Sequence, residues 1–334
     1  MRAVIMKKMG CEDDLELAID LPRPSVEADT IIVKVAACGV TSANYKILTT
    51  WAPPPLYRKL LVLPMPVTAG VEFAGTVVEV GSSVADFAVG DEVYGCKAVN
   101  QHGTYTEFIS IKPNTQIIFH RPVSVPVEVA AGAMRDPMIV YCGLVRSHGL
   151  SLTDKPGEKS VLVLGADTDK GMWAVMISKR LGALVTAVVE PGREKFGESI
   201  GADHVYESIN LVDGKFDVLF DSKGENKEGS HWKLAQRVIK AFGLFSFTAE
   251  SSGDHIETKK LKRTFTSTIT YSPAVFRFDA KESSSHIAEW LEDGSISGIP
   301  VTTFPLEDAK EVHLKRLAGE IAGKSVFLLE GLQT

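Results

Sequence analysis

The chain has no apolar run of membrane-spanning length, which excludes a transmembrane helix. It has no surplus of positive charge. Its 36 Lys and Arg stand against 42 Asp and Glu, a net charge of -6, and phosphate-backbone binding needs a basic surface. The short run "KKLKR" beginning at Lys259 therefore reads as a solvated face, and no nucleic-acid partner is expected. Cysteine is scarce. Cys11, Cys38, Cys96 and Cys142 stand alone with no C-x-x-C spacing, which disfavours a structural zinc knuckle and suits a reducing compartment. The N-terminal stretch "MRAVIMKKMGCEDDLELAIDL" lacks the apolar centre of a signal peptide, because acids interrupt it. A cytoplasmic location away from the membrane is the expectation. Internal repeats, low-complexity tracts and long linkers are missing too.

What is present is a chain of 334 residues, 45% hydrophobic and 23% charged, long enough for two domains. The first third is strand-rich. "TIIVKVAACGV", "AGTVVEVGSSVADFAVGDEVYG" and "GTYTEFISI" are runs of β-branched and alternating residues punctuated by Gly, Asp and Ser. "WAPPPLYRKLLVLPMP" is a proline-rich loop, and "SVPVEVAAGAMRDPMIVYCGLVRSHGL" reads as helix, proline break, helix. From Ser160 the rhythm becomes strand–helix alternation, the pattern of a parallel sheet covered by helices. Its elements are "SVLVLGA", "MWAVMISKRLG", "ALVTAVVE", "REKFGESIGA", "HVYES", "FDVLFDS", the helix "HWKLAQRVIKAFG" and the strand "LFSFTAE". A helix around "SSSHIAEWLEDGSI" precedes a closing strand, helix and strand.

The turn "GADTDKG" after the first of these strands carries the chemistry. A strand-to-helix turn aims backbone N–H groups and the positive end of the helix at one spot, where a pyrophosphate is stabilised. Gly165 permits the sharp turn and Gly171 the close approach of helix to sheet. Ala166, Thr168 and Lys170 join them as cofactor-binding candidates, Thr168 as a hydroxyl donor and Lys170 as a counter-charge. Thr168 and Asp169 occupy the region where a middle glycine normally leaves room for phosphate. A plain structural alternative is a solvent-facing turn in which Asp167 or Asp169 caps the helix. Glu190, ending the second strand, suits a ribose hydroxyl and hence NAD; Arg193, one turn on, suits a 2′-phosphate.

Pro66 to Gly95 resembles the signature of the medium-chain dehydrogenase/reductase superfamily, matching through Gly70, Glu72, Gly75, Val77, Gly81, Phe87, Gly90 and Asp91. "GTYTEF" and "PLEDAKEVHLKRLAGEIAGKSVFLL" resemble further segments, so the likeness covers nearly the whole chain and points to the zinc-independent branch of quinone oxidoreductases and enoyl reductases. The resemblance implies an α/β chain: a GroES-like, β-rich catalytic domain (1–125, with a return at 268–334) and a Rossmann domain of doubly wound parallel sheet (126–267).

Zinc-dependent relatives carry a cysteine where this chain has Thr41 and a histidine where it has Val71, and neither replacement serves as a zinc ligand here. No metal site is expected. The resemblance then implies hydride transfer from NADP(H), in preference to NAD(H), to a quinone or an α,β-unsaturated carbonyl. Thr41, Asn44 and Tyr45 are the catalytic candidates, as hydrogen-bond donors to developing oxyanion charge and, for Tyr45, as proton donor. Tyr57 is a candidate lid residue. A homodimer joined along an edge strand, with "FSFTAE" and "TSTIT" as candidate edges, also follows from the resemblance. The altered turn motivates one alternative: a non-catalytic or regulatory relative with weakened cofactor binding.

Overall fold

The computed structural model describes residues 1–7, 15–41, 66–97, 102–223, 235, 237–247, 267–271 and 280–329. The chain divides into two units, Met1–Arg135 with Val301–Thr334, and Asp136–Pro300.

The first unit is built on antiparallel strands. They are β1 (Ala3–Met6), β2 (Leu15–Ala18), β3 (Ile31–Val40), β4 (Val67–Thr68), β5 (Glu72–Val80), β6 (Glu92–Cys96), β7 (Phe108–Ile111) and β8 (Ile117–His120). The second unit contributes β9 (Ser160–Leu164), β10 (Leu184–Val188), β11 (His204–Tyr206), β12 (Phe216–Asp221), β13 (Ile239–Phe247) and β14 (Ser267–Tyr271). The chain then returns to the first unit with β15 (Val301–Pro305) and β16 (Lys324–Leu328). Its main sheet runs β15-β16-β3-β5-β6-β8, with β7 also paired to β3. Alternate residues of β3 and β5, among them Ile31, Val33, Val35, Phe73 and Val77, turn into one core with Tyr105 and Phe327. Burial of such side chains stabilises by about 1.5–3 kcal/mol each and is what holds the unit together.

The helices among the described residues include α1 (Val127–Ala131), α2 (Arg135–Tyr141), α3 (Asp169–Arg180), α4 (Glu194–Ser199), α5 (Ala280–Glu292) and α6 (Ala309–Leu317). Pro137 does not break the chain between two helices, as its position suggests. It lies in the first turn of α2, where a missing N–H costs nothing, and the irregularity comes later as a widened π turn over Cys142–Arg146.

The second unit's sheet has the order β11-β10-β9-β12-β13-β14, and every pairing in it is parallel. Its central strand β9 is an apolar run, as a doubly covered strand is: Val161, Leu162, Val163 and Leu164 are all buried. The sequence "HWKLAQRVIKAFG" was expected to be helical throughout. Helical backbone ends at Val238, and Ile239 already pairs with Phe216, the register shifting before Val218 meets Leu244. Pairing with β12 overrides the helical spacing, because Ile239 and Leu244 are buried in the sheet. The expected edge "FSFTAE" is corrected likewise: β13 is interior, between β12 and β14, whereas the "TSTIT" strand β14 pairs with β13 alone among the described residues.

Candidate functional site

In the second unit the chain winds from β9 to β10 and β11 on one side, and from β12 to β13 and β14 on the other. The strand order reverses between β9 and β12. Open parallel sheets bind ligands in the crevice outside their carboxyl ends at such a switch point. Gly165 follows β9, Glu190 lies just beyond β10, and Ser222 and Lys223 follow β12.

Gly165 adopts φ +69°, a left-handed conformation that favours glycine. A Cβ on Gly171 would lie 1.9 Å from the Gly165 carbonyl oxygen, so only glycine lets α3 start this close to the end of β9. These two residues have the backbone roles their positions imply. Ala166 is buried and donates its N–H to Val188 O at 2.9 Å, tying the turn to β10.

The side chains of the turn depart from expectation. Neither aspartate caps α3. Thr168 is the N-cap, its Oγ1 accepting from Gly171 N at 3.1 Å, while its hydroxyl lies 2.9 Å from both Gly165 O and Ser222 Oγ. A threonine so engaged is a turn-fixing residue before it is a phosphate donor. Nor is the turn solvent-facing, since Asp167 and Asp169 are both buried. Asp167 Oδ2 accepts from Arg193 Nη1 at 2.7 Å. Asp169 stands in the first turn of α3, where a carboxylate is favoured by the helix dipole. Lys170 is turned away from the phosphate position that its charge suggested: it is buried and faces the equally buried Asp136 of α2, with Nζ 3.3 Å from Oδ1.

Glu190 forms an ion pair with Lys223, whose hydrogen bond holds the Glu190 carboxyl below the usual carboxylate range. Sequence reasoning did not single out Lys223. The signal was its place directly after β12, in "DSKG". Two cations, Arg193 and Lys223, thus flank the end of β10, each neutralised by one acid. A dinucleotide suits this crevice. The turn keeps the two glycines that shape it. The end of β10 carries an acid suited to a ribose, and the two cations flanking it could exchange their present acid partners for a phosphate on that ribose. The buried Asp167 and Asp169 oppose the pyrophosphate electrostatically, and the α3 N-terminus favours it.

In the first unit Thr41 follows β3. It is fully buried, and its Oγ1 has no hydrogen-bond partner among the described residues. A buried hydroxyl left in this state costs about 1–3 kcal/mol, which a bound acceptor would recover. Val71, in the position of the missing histidine ligand, is also buried. Asn44, Tyr45 and Tyr57 lie outside the described residues. Cys38, Cys96 and Cys142 are buried, and burial pushes the Cys38 thiol far above its ordinary pKa, so it is a structural side chain.

Residues 27–132 match the model of the alcohol dehydrogenase GroES-like domain. The chain is 26% identical to the mitochondrial NAD(P)H oxidoreductase RTN4IP1 of Mus musculus, over 98% of this chain and 88% of that protein. It is 26% identical to the chloroplastic NADPH-dependent alkenal/one oxidoreductase of Arabidopsis thaliana, over 78% of this chain and 71% of that one. The Escherichia coli quinone oxidoreductase solved with NADPH superposes with a TM-score of 0.78, at 21% identity, over 98% of this chain and all of that one. Residues 27–132, in the first unit, thus carry the alcohol dehydrogenase GroES-like domain, and the second unit is a parallel α/β sheet of the same overall fold as that solved structure. At the two positions where the resemblance expects zinc ligands the chain has Thr41 and Val71, neither of which suits zinc. Among the described residues no helix is long and apolar enough to cross a membrane.

Proposed function

We propose that the protein is a zinc-independent, NADPH-dependent oxidoreductase that reduces an α,β-unsaturated carbonyl or a quinone. The observation that carries this reading is the switch-point crevice around Gly165 and Gly171, with Arg193 and Lys223 beside Glu190. The names of the relatives, alkenal/one and quinone oxidoreductases, support the substrate class. Two cations at the end of β10 support NADPH over NADH.

When bound, the reduced nicotinamide supplies a hydride to the electron-poor carbon of the substrate. The protein's own part is to receive the charge that builds on the carbonyl oxygen. Thr41, whose buried hydroxyl lacks a partner among the described residues, donates a hydrogen bond to that oxygen. Asn44 joins it as a donor, and Tyr45 returns a proton. Gly165, Ala166, Thr168 and Gly171 shape the phosphate turn, Glu190 accepts from the ribose, and Arg193 swings from Asp167 to the 2′-phosphate. Lys170 acts at one remove, holding α3 to α2 through Asp136.

The rest of the proposal is a homodimer paired along β14 and a cytoplasmic location, the latter supported by few cysteines with no C-x-x-C spacing. The burial of Asp167 and Asp169 favours a second reading, a relative that keeps the fold with weakened cofactor binding. Calorimetric titration with NADPH and NADH separates the two. The oxidoreductase reading expects NADPH to bind more tightly. Binding of neither at millimolar concentration would overturn it in favour of the second.

A further inference from the structure

The first unit contains a cavity of about 650 Å³, none of whose described lining residues has been given a role above. Its apolar wall is formed by Ile5, Leu21, Pro66 and Phe108. Its charged lining, Arg23, Lys97 and Lys112, is of one sign, with no aspartate or glutamate among the lining residues described. Arg23 lies over the Phe108 ring, 4.2 Å from its centre, and is paired outward with Glu79. Lys112 is likewise paired outward with Asp29, at 3.0 Å.

Lys97 differs from both. It is only 8% exposed, yet among the described residues it makes no ion pair. Among those residues its ammonium has one long hydrogen bond, to Ser110 O at 3.3 Å. Burial pushes its pKa from 10.5 down to about 8, so near neutral pH it remains mostly charged and poorly compensated. A buried charge of this kind is costly until an opposite charge reaches it. The cavity falls within the range of small-molecule sites, about 300–1,000 Å³, which are mostly apolar with a few placed polar groups.

We propose that this cavity is a second ligand site, which takes a small carboxylate with an apolar body. The carboxylate pairs with Lys97 Nζ, and the body lies against Ile5, Leu21 and Phe108. Charge complementarity selects the occupant: a neutral molecule of equal shape leaves the ammonium uncompensated, and a cation adds a like charge beside Lys97. The site is independent of hydride transfer and stands or falls apart from it.

The test uses hexanoate as probe and hexanamide as its neutral counterpart, followed by calorimetry on the full chain. Hexanoate should bind at least about tenfold more tightly than hexanamide, the difference expected of one desolvated ion pair. Lys97→Met should reduce hexanoate affinity to that of hexanamide and leave NADPH affinity unchanged. Equal binding of the two probes, or full hexanoate binding by the variant, would overturn the proposal. Should the variant fold poorly, the wild-type protein still decides. Hexanoate should slow reductive methylation of Lys97, relative to the exposed Lys34, by several-fold in peptide mass spectra, and unchanged labelling would refute the site.

Discussion

Replacing Lys324 by methionine tests how the first unit is held together. Lys324 Nζ lies 2.6 Å from Glu72 Oε2, and both side chains are fully buried. The other oxygen of Glu72 accepts from Arg135 N at 2.6 Å and Met134 N at 3.2 Å. One carboxylate thus ties β5 to β16 and to the start of α2. Removing one partner of a buried pair costs about 3–5 kcal/mol, because the other charge is stranded. Two backbone N–H groups still solvate the carboxylate, so the lower end, about 3 kcal/mol, is expected. Native-state hydrogen exchange of the β5 and β16 amides measures this locally, avoiding a two-state assumption for a chain of two units. Exchange should accelerate by slightly more than about a hundredfold in Lys324→Met. The double variant Glu72→Gln with Lys324→Met should cost less than the sum of the singles by about 2 kcal/mol. Acceleration below about tenfold, or plain additivity, would refute the reasoning.

Three further outcomes are expected. Asp167→Asn releases Arg193 and removes a buried carboxylate beside the phosphate path, so NADPH should bind about fivefold more tightly, consistent with one ion contact, with a smaller change for NADH; Arg193→Glu should weaken NADPH more than NADH, and equal effects on the two in calorimetry would remove Arg193 from the 2′-phosphate. Thr41→Val, nearly isosteric at a buried position, should lower kcat by about a hundredfold in a steady-state NADPH oxidation assay, as loss of an oxyanion donor does, and an unchanged kcat would dismiss Thr41. His313 is buried beside Tyr105 and Phe327, and burial, with a smaller contribution from Arg316, pushes its pKa from 6.5 down to about 3. Between these values the unfolded chain binds a proton that the native state refuses, so stability falls as pH falls through this window, by up to about 1.4 kcal/mol per pH unit. His313→Phe should flatten that part of the urea-midpoint profile, and an unaltered slope would count against it.

The parallel sheet was legible because strands rich in apolar residues, β9 above all, alternate with helical segments across glycine-bearing turns. Gly165 and Gly171 were legible because backbone geometry restricts those positions to one residue type. The surroundings of the turn were not. Asp167 and Asp169 look like solvent-facing acids until Arg193, 26 residues on from Asp167, is folded back upon the turn. Lys170 looks like a phosphate counter-charge until Asp136, in a different helix, is packed beneath it. A choice between partners of equal local plausibility is made by tertiary packing, which periodicity does not carry. The start of β13 at Ile239 was missed for the same reason: helical spacing is a local signal, and pairing with β12 is not. The cation Lys223 was hidden because its role comes from following β12 at the switch point, and strand order is not written in any one segment.

Deuterium transfer tests the central claim most directly. The protein, dialysed against a chelator, is given NADPH labelled with deuterium at nicotinamide C4 together with a simple alkenal, and the product is analysed by mass spectrometry and NMR. The account predicts one deuterium at the β-carbon of the saturated product, one NADPH consumed per product, and no dependence on added zinc. Deuterium at the carbonyl carbon, or turnover only with zinc, would contradict it.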